Sequence, residues 1–195
     1  MRAVTRPPSS GSGQVLRFEI ASWEIECCSP RPVVGQPLQG YRVVFVPADP
    51  QDRWDRAALD EDVDLDALPP QVLVPAGAGR GVSRGHLRAE WHVTPEEGAL
   101  HGSEPLAGTT VRTRVIVCDR RLGVPDGEQD RSWLPVPGSL RLREVSGADW
   151  TFDDEGFRAR ALRDQTCPPV LGDVTHGLDE GVLVDLQVGG QTAGS

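Results

Sequence analysis

The sequence predicts a single mostly β domain, a small barrel or rolled antiparallel sheet of about eight strands with one short helix. Three observations carry this. Apolar and polar residues alternate with a period of two in one segment after another, the mark of strands with one face on a core and one in water. Gly and Pro supply 22 and 17 of the 195 residues, which favours short elements joined by turns. Only one segment has the start signals of a helix.

The elements follow in chain order. Residues 1–13 are rich in Pro, Ser and Gly and too poor in apolar mass to offset ordering entropy, so a disordered tail is expected. The single domain is expected over 14–188, followed by a second disordered tail at 189–195. Leu16, Phe18 and Ile20 alternate with Arg17 and Glu19, and Tyr41, Val43 and Phe45 flank Arg42. Asp49-Pro50-Gln51-Asp52 reads as an N-cap, a first-turn proline and first-turn acids, with Trp54, Ala57 and Ala58 at helical spacing. An acidic and then Gly-rich connection covers 60–85, interrupted by a short strand at 72–74.

Leu87, Ala89, Trp91 and Val93 alternate with Arg88, Glu90 and His92. Val111, Thr113, Val115 and Val117 share one predicted face, opposite Arg112 and Arg114. After a polar connection at 120–138, Leu140 and Leu142 alternate with Arg141 and Arg143, and Phe157, Ala159 and Ala161 with Arg158 and Arg160. Val182, Val184, Leu186 and Val188 close the series. The expected core is Phe18, Trp23, Tyr41, Phe45, Trp91, Val115, Val117, Leu140, Leu142, Val184 and Leu186.

Charge sets limits on function. All 20 basic residues are Arg against 29 acids, for a net charge of -9. That acidity argues against sequence-independent nucleic-acid binding, which needs a basic surface. Lys and Asn are both absent, which points to a GC-rich genome, so Arg carries no special weight over Lys here. No apolar run of about 20 residues exists to span a membrane. No secretory signal is visible, so a cytoplasmic setting with reduced thiols is expected for the four cysteines.

Each chemical motif has a simpler competing reading. Gly81-Val82-Ser83-Arg84-Gly85 matches the G-x-S-x-G of a serine hydrolase, with Asp173 and His176 later in the chain, but a strand pattern follows where that chemistry needs a helix. Gly77-Ala78-Gly79-Arg80-Gly81 lacks the third glycine and the helix of a phosphate loop. Asp60, Asp62, Asp64 and Asp66 alternate like a calcium loop, but Leu65 and Gln71 stand where Gly and Glu are required, so a solvated acidic loop is expected.

The pairs Arg112/Arg114, Arg141/Arg143 and Arg158/Arg160 each fall on the polar side of a strand. The nearby acids lie mainly in connections. A local cationic face is the candidate ligand site, fit for a protein or small anionic ligand. Cys27, Cys28, His92 and Cys118 form a candidate Cys3His zinc set, against the simpler reading of cysteine as a small buried hydrophobe.

The run Trp23 to Cys28 (W-x-x-x-C-C), Val34-Gly35 with Leu38, the strand ending in Cys118, Val136-Pro137-Gly138 and Leu183-Val184-Asp185-Leu186 resemble an uncharacterised actinobacterial family of small domains of unknown function. Members tend to carry paired histidines where this chain has Ala89-Glu90-Trp91-His92, with one. The resemblance implies no activity. The expected function is therefore a non-enzymatic binding or interaction module without a cofactor. Zinc binding is the alternative, and a small serine hydrolase a distant third.

Overall fold

The computed structural model describes residues 13–27, 29–49, 58–90, 105–124, 132–152 and 170–189. Among these residues nine strands form one sheet: β1 (Gln14–Ala21), β2 (Pro37–Pro47), β3 (Glu61–Asp64), β4 (Val72–Leu73), β5 (Val82–Glu90), β6 (Leu106–Gly123), β7 (Ser132–Pro135), β8 (Arg141–Val145) and β9 (Val174–Val188). One helix, α1 (Ser22–Cys27), follows β1, and a 3-10 turn (Leu65–Ala67) follows β3. The expected mostly β class is what the chain adopts. The helix expected to begin at Asp49, the strand at 157–161, and Trp91 lie outside the described residues.

The sheet rolls until its pairing path closes. β1 pairs with β9, β9 with β6, β6 with β2 and β2 with β5, all antiparallel, and β5 returns to β1 in parallel. An odd ring must contain one parallel pair, and here it is the shortest seam, Glu19 to Arg88 and Ile20 to Ala89. The alternating residues fill the interior: Phe18, Ile20, Tyr41, Val43, Phe45, Val115, Val182 and Val184 are all fully buried. Each such large side chain contributes about 1.5–3 kcal/mol of burial. The Tyr41 hydroxyl donates to the Pro30 carbonyl at 2.9 Å. Burial pushes its phenol up to about 12, partly offset by a hydrogen bond with Ser29.

Below the ring the core is finished by residues that no periodicity marked. Trp150 and Phe152 meet edge to face at 5.5 Å and are buried. The Trp150 indole donates to Pro32 O at 3.0 Å, while Arg31 lies over its ring and donates to its carbonyl.

Several expectations are corrected. Trp23 is exposed (56%), because Ser22–Cys27 coils into α1 and turns Glu24 and Ile25 inward instead. Val111 is pushed out by a bulge between Thr110 and Arg112, and Thr110 takes the inward place opposite Leu186. Leu142 is exposed (40%) because β8 pairs with β6 in the register Ile116 to Leu142, which sets it on the outer face. Leu140 is only half-buried. Residues 61–67 form β3 and the 3-10 turn, where the sequence suggested a solvated acidic loop through Asp60, Asp62, Asp64 and Asp66. Their acids are used locally: Asp62 meets Arg84, Asp64 accepts from Asp66 N, and Asp66 accepts from Gly81 N at 3.1 Å.

Candidate binding face

β6 and β9 have 18 and 15 residues, longer than the ring needs. Past the β2 pairing at Pro37 to Tyr41, the free edge of β6 takes up β8 and then β7. The link between them is a tight turn. Pro137 sits at its second position, Gly138 at its third with φ +76°, and Ser139 N donates to Val136 O at 3.1 Å. The β8 arginines therefore lie on a three-strand extension, β8-β6-β9.

The predicted arginines have separate fates. Arg112 is held by two nitrogens on Glu144. Arg114 is buried, with Nη2 2.8 Å from Asp185 Oδ1, which also accepts from Arg17 Nε at 2.8 Å. Desolvation lowers the Arg114 pKa against the pull of Asp185. Arg114 belongs to the fold, and Arg112, though half exposed, spends two nitrogens on Glu144. Arg141 and Arg143 differ. Arg143 reaches across β6 and touches Asp179 through Nη2 alone, at 2.7 Å. Arg141 uses Nη1 alone, on Asp119 Oδ1 at 3.2 Å and on Ser139 O at 3.3 Å. Their side chains are 53% and 45% exposed. A guanidinium has five donors, so both heads are positioned by a carboxylate and still offer donors to solvent. Arg158 and Arg160 lie outside the described residues.

Asp119 organises this face. It accepts from His176 Nδ1 at 2.9 Å, Gly177 N at 2.8 Å and Arg141 Nη1 at 3.2 Å. The His176 bond, then the Gly177 amide and Arg141, hold its carboxyl down to about 2. His176 donates Nδ1–H to this carboxylate and turns Nε2 to water, its side chain 75% exposed. Arg141 and His176 thus share Asp119, and with Arg143 two residues along β8 they present exposed nitrogen donors and acceptors. The acids beneath it, Asp119 on β6 and Asp179 on β9, are strand residues, where the sequence suggested that the counter-charges sit in connections. Asp119 and His176 are 57 residues apart and no sequence signal links them.

The candidate zinc set is not assembled by the described residues. Cys27 is disulfide-bonded, with its partner outside them, and a disulfide sulfur is not the thiolate that zinc requires. Such a bond also departs from the reduced thiols expected, since disulfides persist in oxidising compartments. Cys118 is a buried thiol in no disulfide, 3.3 Å from Ser139 Oγ. Cys28 and His92 lie outside the described residues. Among the described residues no group of three or more His, Cys, Asp or Glu is placed to hold a metal.

A second polar group escaped the sequence reading. His86 Nδ1 lies 2.8 Å from Asp60 Oδ1, and its Nε2 lies 3.9 Å from Glu19 Oε2. All three side chains are buried, and the facing Nε2 and Oε2 make no hydrogen bond. The acids sit on opposite nitrogens of one ring, so they do not converge on a common ligand.

Ser83 lies inside β5, paired with Val63, and not at the strand-to-helix turn of a nucleophile elbow. It points to the face opposite His86, three residues on. Among the described residues no helix is long and apolar enough to cross a membrane. No family profile, curated protein or solved structure matches the chain.

Proposed function

We propose that the protein is a non-enzymatic binding module whose working face is the β8 side of the sheet, and that it takes an anionic group carried by a protein or a small ligand. One observation carries the reading. Arg141 and Arg143 stand on one face of β8, about half exposed, each tied to a carboxylate through a single nitrogen. A carboxylate or phosphate meets heads already ordered, so binding immobilises little side-chain freedom. Asp119 and Asp179 keep the face from strong net positive charge, so it selects by hydrogen-bond geometry more than by long-range attraction. Among the described residues no specific observation favours zinc or hydrolase chemistry.

The test is a titration of isotope-labelled protein with inorganic phosphate, read at the Arg side-chain Nε–H signals. Arg141 and Arg143 shift and Arg114 stays still. The reading fails if no arginine responds, or if an Arg141→Ala/Arg143→Ala variant binds phosphate equally well.

A further inference from the structure

We propose that β8 is the docking edge for an extended peptide carrying acidic residues at alternate positions, added to the sheet as an antiparallel strand. The inference rests on the anion-binding reading above and gives it a partner. β8 pairs with β6 and, among the described residues, with no other strand, and four of its five residues are exposed. An open edge presents backbone N–H and C=O groups on which a further strand pairs.

The side chains choose the occupant. Arg141 and Arg143 project from one face, two residues and about 7 Å apart. A strand laid antiparallel along β8 sets its own alternate residues opposite them, and opposite charges stabilise such cross-strand pairs. Leu142 projects from the other face and is exposed, so the residue between the two acids meets an apolar partner. Glu144 is already held by Arg112. The matching segment is acid, apolar, acid. A second copy of β8 fits poorly. Antiparallel pairing about Leu142 sets Arg141 against Arg143 twice, and pairing about Arg143 or Glu144 sets each against its own charge. The same charges that repel a copy of this chain welcome an acidic strand.

The probe is the capped peptide Glu-Val-Glu-Val-Glu, with two versions N-methylated on opposite sets of alternate residues, titrated into the full chain. The parent peptide shifts the backbone amides of 141–145. Strand addition uses the amides of one alternate set only, so one methylated version binds about tenfold more weakly while the other binds like the parent. Arg141→Ala/Arg143→Ala also weakens the parent peptide about tenfold, and a Lys-Val-Lys-Val-Lys peptide does not bind. If both methylated versions match the parent, strand addition is overturned and the anion reading stands. If phosphate shifts Arg141 and Arg143 but no peptide binds, strand addition is likewise overturned and anion binding is kept. If neither phosphate nor peptide binds, both fall, and β8 is an edge whose charges serve only to keep other chains away.

Discussion

Replacing Asp119 with Asn tests the organisation of the binding face directly. The carboxylate joins three strands, accepting from His176 and Gly177 on β9 and Arg141 on β8 while sitting on β6. Its carboxyl falls from 3.8 to about 2 on folding, with the His176 hydrogen bond the largest cause. At 1.36 kcal/mol per pKa unit that difference is worth about 2 kcal/mol, and screening of the exposed Arg141 and His176 reduces it to about 1–2 kcal/mol. A group whose folded pKa is depressed stabilises above its unfolded pKa and loses that contribution as pH falls through the folded one. The wild type therefore carries the full contribution above about pH 4 and sheds it between about pH 4 and 2. Asn cannot titrate, so Asp119→Asn is less stable by about 1–2 kcal/mol at pH 7, a Tm lower by roughly 2–8 °C. The gap closes as pH approaches 2. Urea unfolding of both proteins at pH 7, 4 and 2.5 measures it. An equal gap at pH 7 and 2.5 refutes the ionic account, and no gap at pH 7 refutes the hub.

Three further outcomes are expected. Asp185→Ala strands the buried Arg114 guanidinium, whose Nε is already unpartnered, and costs about 3–5 kcal/mol in denaturant unfolding, whereas Asp185→Leu with Arg114→Met recovers most of it. Gly85→Ala drives a methyl group to 2.3 Å from the Val46 carbonyl and 2.7 Å from the Phe45 ring, across the β2 to β5 pairing, and destabilises by about 2–3 kcal/mol in the same assay. Alkylation of unreduced, denatured protein followed by mass spectrometry labels Cys118 and leaves Cys27 unlabelled, and metal analysis of the same preparation finds well under one equivalent of zinc; a labelled Cys27 together with stoichiometric zinc would falsify the assignment of Cys27 to a disulfide and restore the zinc set.

How far the sequence could be read depended on what each strand packs against. Where β1 and β9 pair from Leu16 to Ile20, the inward positions carry hydrophobes, so Leu16, Phe18, Ile20, Val182, Val184 and Leu186 disclose both the strand and its buried face. In β8 the same alternation discloses the strand but assigns the wrong side. Leu142 is apolar and outside, while Arg141 and Arg143 share the face of Val117 and Val115, because the register to β6 and not hydrophobicity sets the face. The bulge at Val111 is a property of the β6 to β9 pair and leaves no mark on either strand alone. Acidic β3 is hidden because it is held by pairing with β5 and meets Arg17 and Arg84, all distant in sequence, while its own composition reads as loop. Arg141 and Arg143 were legible as candidates. That these two are each tied through one nitrogen, while Arg112 spends two on Glu144 and Arg114 is buried, was hidden, since it depends on Asp119, Asp179, Asp185 and Glu144 reaching them across strands.

The two faces of the long β6 strand separate the arginine pairs: Arg112 and Arg114 lie on the face of Ile116, Arg141 and Arg143 on that of Val115 and Val117. Arg114 lies between Glu144 of β8 and Leu183 of β9 and turns to the face where Arg17 and Asp185 already crowd, so its charge is sealed into the fold. The β6 edge that carries β2 as far as Thr109 passes beyond it to the short, exposed β8, whose far side meets no strand among the described residues. An arginine there has a carboxylate on one side and water on the other. Had β2 continued along β6, Arg141 and Arg143 would have no strand to stand on. A sheet that rolls shut with one strand overlong thus makes, by its geometry alone, a closed core at one end and an open, charge-bearing edge at the other. The proposed binding activity is a consequence of that mismatch in strand length more than of the arginines themselves.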